Sequence, residues 1–504
     1  MILKNYTGFK YLKDLREYIE ELKKIGELKE VNVSVDWNLE VGAIIRRICE
    51  LEAPSALFNN IKDYENSGFR ILGAPACLSN KKGARFSKLA ISLGLKPDTS
   101  IHEIIDLLVQ AHHNPLVPPV KVSSSPCKQN ILLGDDVDLY KLPVPYFHDK
   151  DGGRYLNTWG IIVAQTPDGS WTNWSIARIM IHGKKTMVGL IASPQHIRVV
   201  YDKWKEINKP MPFALAMGVE PIIPIIGGMP IPEKMNEADF IGGLLGEPLK
   251  VIDCETVKLQ IPASAEIVIE GHISIDKAAM EGPMGEGIGY TRLSDIAEFP
   301  LYEVAAITYR NNAILPCVFA GAPIEETGLV WGLGQSMEVK TLLLKHGLPI
   351  IKCVTVFETA MQWMVITLDK SYATKYSSLE ITKIIGDIVC DAGKIAMTVT
   401  SFFIMDDDID PIDIKQLLWG IATRCSLTKG VISYENKLLA ALCINSEKIS
   451  KSTKMVYNCL RPDMYEGKLM MAKFNIEMNN GFASDIPKGI QAKVIKNWGK
   501  YFNN

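Results

Sequence analysis

The sequence predicts a mixed α+β chain in three regions: α/β over 1–113, antiparallel β over 114–320, and α/β again over 321–504. Three observations carry this. Helix and strand signals alternate in the first third, hairpins follow one another without long helices in the middle third, and mixed patterning returns in the last. With 504 residues, 47% of them hydrophobic and 22% charged, the chain has room for roughly two to four domains, each with its own core.

In the first region, Leu12, Leu15, Tyr18, Ile19, Leu22 and Ile25 recur at helical spacing and stop at Gly26. Val41, Ile44, Ile45 and Ile48 repeat the pattern before Pro54, and FRILGAP reads as a short buried strand. Ser100 followed by Glu103 forms a capping box for IHEIIDLLVQAHH. The proline-rich NPLVPPVKVSSSPC then marks a boundary, because proline fixes φ and removes a donor.

In the middle region, GIIVAQ and SWTNWSI flank the turn TPDG, and RIMIH and TMVGLI flank GKK, giving two hairpins. AEIVIEGHISI is a further β-rich run in which Gly271 marks a bulge or close approach. A helix is expected from about Ser193, with Ile197, Val200, Tyr201 and Trp204 on one face. In the last region, SMEVKTLLLKHG and SSLEITKIIGDIVCDAG read as helices, while LPIIKCVTVF and VTSFFIMD read as strands.

The charge balance is 55 Lys+Arg against 57 Asp+Glu, a net −2. That gives no electrostatic case for nucleic acid or an anionic membrane as partner, and it excludes disorder. No apolar run reaches the roughly 18 residues of a membrane span. The N-terminus MILKNYTGFKYLKDLREY carries mixed charge rather than a signal peptide. Ten scattered cysteines without a CxxC pair read as small core residues in a reducing compartment. A cytoplasmic location is expected, with an organelle matrix as the alternative.

Several motifs bear on chemistry. WGLGQSME has Gly332 and Gly334 but Met337 where a dinucleotide fingerprint needs glycine, so it is set aside. MDDDID spaces Asp406, Asp407 and Asp410 like a magnesium motif, but it follows the strand-like SFFIM and reads as an acidic strand end. His182 reads as structural. His196 falls at a helix start in SPQHI, where free N–H groups favour an anion. Asn173, Ser175 and Arg178 lie just upstream, and an amide, an imidazole and a carboxylate together would suit Mn²⁺ or Mg²⁺. In EGPMGEGIGY, glycines and a proline allow Glu281 and Glu286 to converge. Close carboxylates have pKa values pushed apart, which suits acid–base work, and an arginine between them would orient a substrate carboxylate. A solvated glycine-rich turn is the competing reading.

TPDGSWTNWSIAR, SPQHI, GMPIP and EGPMGE, in this order and spacing, resemble the UbiD family of decarboxylases, and within it the ferulic acid (phenylacrylic acid) decarboxylase branch. NLEVGAI, DGGRYLNTWG, PASAEIVIEG, YRNNAILP and DDIDP extend the likeness. The resemblance implies that the central region is a split β-barrel flavin-binding domain and that the C-terminal α/β domain mediates oligomerisation, giving a homodimer or larger assembly. It implies non-oxidative decarboxylation of an α,β-unsaturated aromatic acid with prenylated FMN, which a partner flavin prenyltransferase supplies. It implies Mn²⁺ on Asn173, His196 and Glu237, and K⁺ beside Trp174, Gly227, Gly228 and Met229. Ser175, Ile176, Ala177, Gln195 and Pro230 would touch the flavin, and Lys394 its phosphate. Arg178, Glu281 and Glu286 would be the catalytic set. Arg178 would pair with the substrate carboxylate and with Glu281, and Glu286 would return a proton to the carbon that lost CO₂.

One requirement follows. Asn173 and Arg178 are five apart and would face opposite sides of a continuous strand, so a bulge, a strand end or a cofactor reaching across must intervene. The chain also departs from the branch at Ala192, Gly287, Ile288 and Trp331, which reshapes the expected substrate pocket. The alternatives are a reversible aromatic or heteroaromatic acid decarboxylase with the same cofactor, and a flavin-binding protein without decarboxylase activity.

Overall fold

The computed structural model describes residues 3–191, 193, 195–446, 450–462 and 486–502. The chain parts into two compact units, residues 1–338 with 357–361, and residues 339–356 with 362–504.

In the first unit, a four-stranded sheet orders Leu28–Val31, Ser55–Phe58, Arg70–Gly73 and Ile314–Cys317. Its last strand comes from far along the sequence and pairs in parallel with Arg70–Gly73. The helix Leu15–Lys24 packs Leu15, Tyr18, Ile19 and Leu22 against this sheet, and the Ser100–Glu103 capping box opens Ile101–Ala111.

The larger sheet has nine strands, all paired antiparallel. Its order is Tyr155–Asn157, Ile179–Gly183, Thr186–Gly189, Ala297–Tyr309, Ile267–Glu281, Met211–Met217, Gly160–Gln165 and Thr172–Ser175, with Asn130–Leu133 also beside Ala297–Tyr309. The end strands Tyr155–Asn157 and Thr172–Ser175 do not pair, so the sheet is an open, split barrel. Both expected hairpins form. The register slips between Glu270 and Gly271, the bulge that glycine announces. The middle region holds more helix than the sequence signals suggest. His196–Glu206 is the expected one, but Ile222–Gly227 is apolar and buried throughout and Glu237–Leu245 buries every residue but Asp239, which hides their period.

In the second unit, a five-stranded mixed sheet orders Ile350–Thr355, Trp363–Leu368, Ser401–Asp406, Lys451–Cys459 and Val431–Leu438. The helix Ser378–Val389 places Ile381, Ile385 and Val389 in the core beside it. Among the described residues no helix is long and apolar enough to cross a membrane. The cysteines are free thiols, mostly buried, as expected of core residues.

Candidate active site

The site grows from the edge strand Thr172–Ser175. One side pairs with Gly160–Gln165. On the other, alternate backbone N–H groups would be left bare, and two side chains and one backbone carbonyl take them. Thr172 N–H donates to Asn236 Oδ1 at 3.0 Å, Trp174 N–H to Glu237 Oε2 at 2.8 Å, and Ile176 N–H to Gly227 O at 3.2 Å. The strand then stops at Ser175, and the next begins at Ile179. That strand end meets the requirement set by the five-residue offset of Asn173 and Arg178. Ala177, in the break, is pinned where its carbonyl accepts from the buried Asn157 Nδ2 at 2.7 Å.

Two clusters flank this break. In the first, Glu237 opens the helix Glu237–Leu245 and is 3% exposed. Its other oxygen accepts from Asn173 Nδ2 at 2.9 Å, and Asn173 Oδ1 accepts from Ser175 Oγ at 3.0 Å. Burial pushes the Glu237 carboxyl up to about 8; hydrogen bonds oppose that shift, and the neighbouring charge of Asp239 adds to it. His196 is the first residue of its helix, directly after Gln195. Its ring meets that of Trp171 edge-on, with centroids 5.2 Å apart. Trp171 Nε1 donates to Met235 O at 3.2 Å, so one indole ties the His196 helix to the segment that carries Glu237. Met229 and Pro230 follow the helix Ile222–Gly227 and abut Gly334, where a Cβ would lie 2.8 Å and 2.6 Å from them. Gly334 therefore serves close helix packing inside Glu326–Lys345 rather than a dinucleotide loop.

In the second cluster, Glu281 ends the strand Ile267–Glu281 and is fully buried. Arg178 Nη2 donates to Glu281 Oε2 at 2.9 Å, and Arg178 Nη1 makes a close contact with Glu286 Oε1. Tyr155 Oη donates to Glu281 Oε1 at 2.8 Å. Burial pushes the Glu286 carboxyl up, against the pull of Arg178. Burial disfavours the Arg178 charge, yet Glu286 and Glu281 outweigh it and its pKa lies above the ordinary value. The loop between the carboxylates is clamped from a second segment. Gly152 N–H donates to Pro283 O at 2.8 Å and Gly285 N–H to Asp151 Oδ1 at 3.1 Å. His148 braces Asp151 through Nδ1 at 3.0 Å and reaches Ala320 O through Nε2 at 2.7 Å.

The remaining expected residues sort as follows. Gly287 has no side chain, and the space a Cβ would enter holds Glu325 Oε1, 2.8 Å away. Trp331 is half-buried on the helix Glu326–Lys345. Ala192 lies outside the described residues. Lys394 sits half-buried in the turn Gly393–Ala396 of the second unit. His182 is exposed at a strand end. Asp406, Asp407 and Asp408 of MDDDID are ion-paired, Asp408 to Arg424 at 2.6 Å and Asp407 to Lys352 at 3.2 Å, which agrees with an acidic strand end. Sequence reasoning missed Tyr155, Trp171, Asn236, Asp151 and His148. Tyr155 lies inside DGGRYLNTWG, a segment that carried the resemblance without a role.

Models of the 3-octaprenyl-4-hydroxybenzoate carboxy-lyase (UbiD) family match the N-terminal domain over residues 19–108, the Rift-related domain over 119–323 and the C-terminal domain over 328–459. The chain is 39% identical over 499 residues to ferulic acid decarboxylase 1 of Saccharomyces cerevisiae, covering 97% of this chain and 98% of the relative. It is 34% identical to pyrrole-2-carboxylic acid decarboxylase of Pseudomonas aeruginosa, with the same coverage. Among solved structures, vanillic acid decarboxylase of Sedimentibacter hydroxybenzoicus in closed form superposes with a TM-score of 0.80 at 23% identity, covering 98% of this chain and 100% of that one. The UbiD-class enzyme HmfF of Pelotomaculum thermopropionicum in complex with FMN gives 0.78 at 24%, covering 96% and 99%. An evolved dimeric form of HmfF in complex with prenylated FMN gives 0.76 at 24%, covering 93% and 99%. At these identities the superpositions establish the fold.

Proposed function

Because the chain belongs to the UbiD family of carboxy-lyases, we propose that it decarboxylates an α,β-unsaturated aromatic acid of the cinnamic or ferulic type, using prenylated FMN and releasing the alkene and CO₂. The observation that carries this reading is Arg178 held between Glu281 and Glu286. A guanidinium that can fork onto a carboxylate stands between a buried carboxylate and a carboxyl that burial favours in its neutral form.

When bound, prenylated FMN supplies the sink for the electron pair left behind as CO₂ departs. The protein supplies orientation and a proton. Arg178 receives the substrate carboxylate in place of its contact with Glu286, while Glu281 keeps the guanidinium fixed. Glu286 then gives its proton to the carbon that lost CO₂ and regains one from water, to which its side chain stays 23% exposed. One proton consumed per CO₂ released balances the reaction.

Asn173, His196 and Glu237 would hold Mn²⁺, and Trp174, Gly227 and Met229 would lie by K⁺. The residues fit a hard cation. An amide, an imidazole and a carboxylate offer oxygen and nitrogen donors, and Glu237 is buried among hydrogen-bond donors with no positive charge among the main influences on it. Ser175, Ile176, Ala177, Gln195 and Pro230 would flank the flavin, and Lys394 would meet its phosphate. In this reading residues 1–113, 114–320 and 321–504 are the domains, a flavin prenyltransferase supplies the cofactor, and the protein works in the cytoplasm as a homodimer or larger assembly.

The test is CO₂ release from cinnamic acid by protein co-expressed with a flavin prenyltransferase, against protein made without it. Activity only in the first establishes cofactor and reaction together. A second reading, decarboxylation of a heteroaromatic acid, is favoured by Glu325 beside Gly287, a polar wall where a side chain would otherwise stand. Holo-protein inert on cinnamate but active on pyrrole-2-carboxylate would select it.

A further inference from the structure

The two carboxylates share one guanidinium, and a third group bears on how it is shared. Tyr155 is fully buried on the strand Tyr155–Asn157. Its hydroxyl donates to Glu281 Oε1 at 2.8 Å, while Arg178 takes the other oxygen at 2.9 Å. A more distant acceptor, Pro283 O, lies 3.4 Å away. A buried hydroxyl has no water to replace a lost partner, so the phenol proton is committed to the carboxylate.

Other charged and titratable groups face this pair. Arg292 lowers the proton affinity of Glu286, and Asp151 acts on Tyr155 from the clamp under the loop, where His148 braces it. The buried Tyr302 phenol feels the Glu281 charge, and Glu325 stands beyond Gly287. Tyr155 and Arg178 donate to Glu281 directly.

We infer that Tyr155 is a positioning residue that divides Arg178 between Glu281 and Glu286, and thereby sets how readily Glu286 gives up its proton. This rests on the proposed roles of the two glutamates. The more of the Glu281 charge the phenol satisfies, the less that carboxylate draws on Arg178, and the more guanidinium remains for Glu286. Removing the phenol reverses this. Arg178 is drawn to Glu281, Glu286 loses part of its cation, and its pKa rises.

The test is Tyr155→Phe in the full chain, which keeps the ring and removes the donor. Carboxyl ¹³C titration of glutamate-labelled protein follows Glu286 directly, with Glu286→Gln assigning the signal, and it needs no turnover. The Glu286 midpoint should rise by roughly half to one pH unit, because a hydrogen bond to a charged group, redistributed over two acids, alters an ionisation roughly three- to tenfold. The alkaline limb of kcat/KM against pH, which reports the free enzyme in which Arg178 still reaches Glu286, should rise with it. Placing 3-fluorotyrosine at 155, a stronger donor of nearly the same size, should move both the other way, and it tests the inference even if Tyr155→Phe does not fold. An unchanged Glu286 midpoint in a folded variant overturns the inference, as does a loss of rate with both limbs in place. A shifted midpoint in protein that never releases CO₂ supports the division of Arg178 and overturns the proposed function instead.

Discussion

Glu281 and Glu237 are buried alike, at 0% and 3% exposure, yet the fold surrounds them differently. Glu281 ends a strand with a guanidinium on one oxygen and a phenol on the other. Glu237 opens a helix with an amide nitrogen and backbone N–H groups as donors. A buried carboxyl with neutral donors alone is pushed toward its protonated form, and Glu237 is pushed up to about 8. The first cluster carries its own counter-charge, as the proposed action on a substrate carboxylate requires. The second, in the proposed reading, is a seat whose charge an outside cation would complete.

The sharpest way to break this comparison is to alter the acid in the self-sufficient cluster. Glu286→Gln should lower kcat roughly 10²–10⁴-fold, the usual contribution of a positioned proton donor, with flavin retained in the visible spectrum. Turnover near wild type would remove Glu286 as the donor. In the wild type, burial raises the Glu286 pKa, so the neutral donor persists above the ordinary carboxyl range. The rate should therefore fall as pH rises through that value, and a rate flat to high pH would contradict the role.

Glu237→Gln takes away a proposed ligand and should weaken Mn²⁺ retention by about 100-fold or more, beyond what loss of a ligand's hydrogen-bond partner costs, as read by metal analysis and electron paramagnetic resonance. The same substitution should leave the Arg178 pairing intact, so cofactor loss without metal loss would count against the seat. In the wild type, Mn²⁺ at about 100 times its Kd should add about 2.7 kcal/mol, seen as a higher Tm that a chelator reverses. A Tm indifferent to Mn²⁺ would argue that Glu237 is a structural acid. The smallest effect belongs to His182→Ala. That residue is exposed, so stability should stay within about 0.5 kcal/mol and metal content should not change. A loss of metal would mean the wrong histidine was chosen.

The sequence disclosed local structure more readily than pairing. The Ser100–Glu103 box, the stop at Gly26 and the two hairpins are written in a few adjacent residues, and all appear as expected. The strand Ile267–Glu281 runs six residues beyond AEIVIEGHISI, through the polar pair Asp276–Lys277, because Ala297–Tyr309 lies alongside. Likewise the helix of SMEVKTLLLKHG begins at Glu326, ten residues before Ser336, and runs through Gly328, Gly332 and Gly334, which weaken the helical signal. Of the candidate site, Glu281 and Glu286 were legible in the glycine-rich EGPMGEGIGY, while Arg178 stood out only as one donor in TNWSIAR and took its role from the family resemblance. Tyr155, Trp171 and Asn236 were not, because an aromatic or an amide in a β-rich run looks like ordinary core or edge until its partner, about 60 to 130 residues away, is known.

The loop bearing the two carboxylates is unevenly open to heritable change. A Cβ at Gly152 would lie 2.1 Å from Gly282 O, and Gly282 itself has a φ of +94° with Asp295 O 2.1 Å from its own missing Cβ. Nearly every mutation there disturbs backbone, so the two positions offer selection almost nothing. Gly287, one residue past the proposed proton donor, has no such φ and faces only the end of the Glu325 side chain. Variation can accumulate there while the donor stays in place, so lineages or laboratory libraries exploring new acids should diverge first at 287 and 325, together.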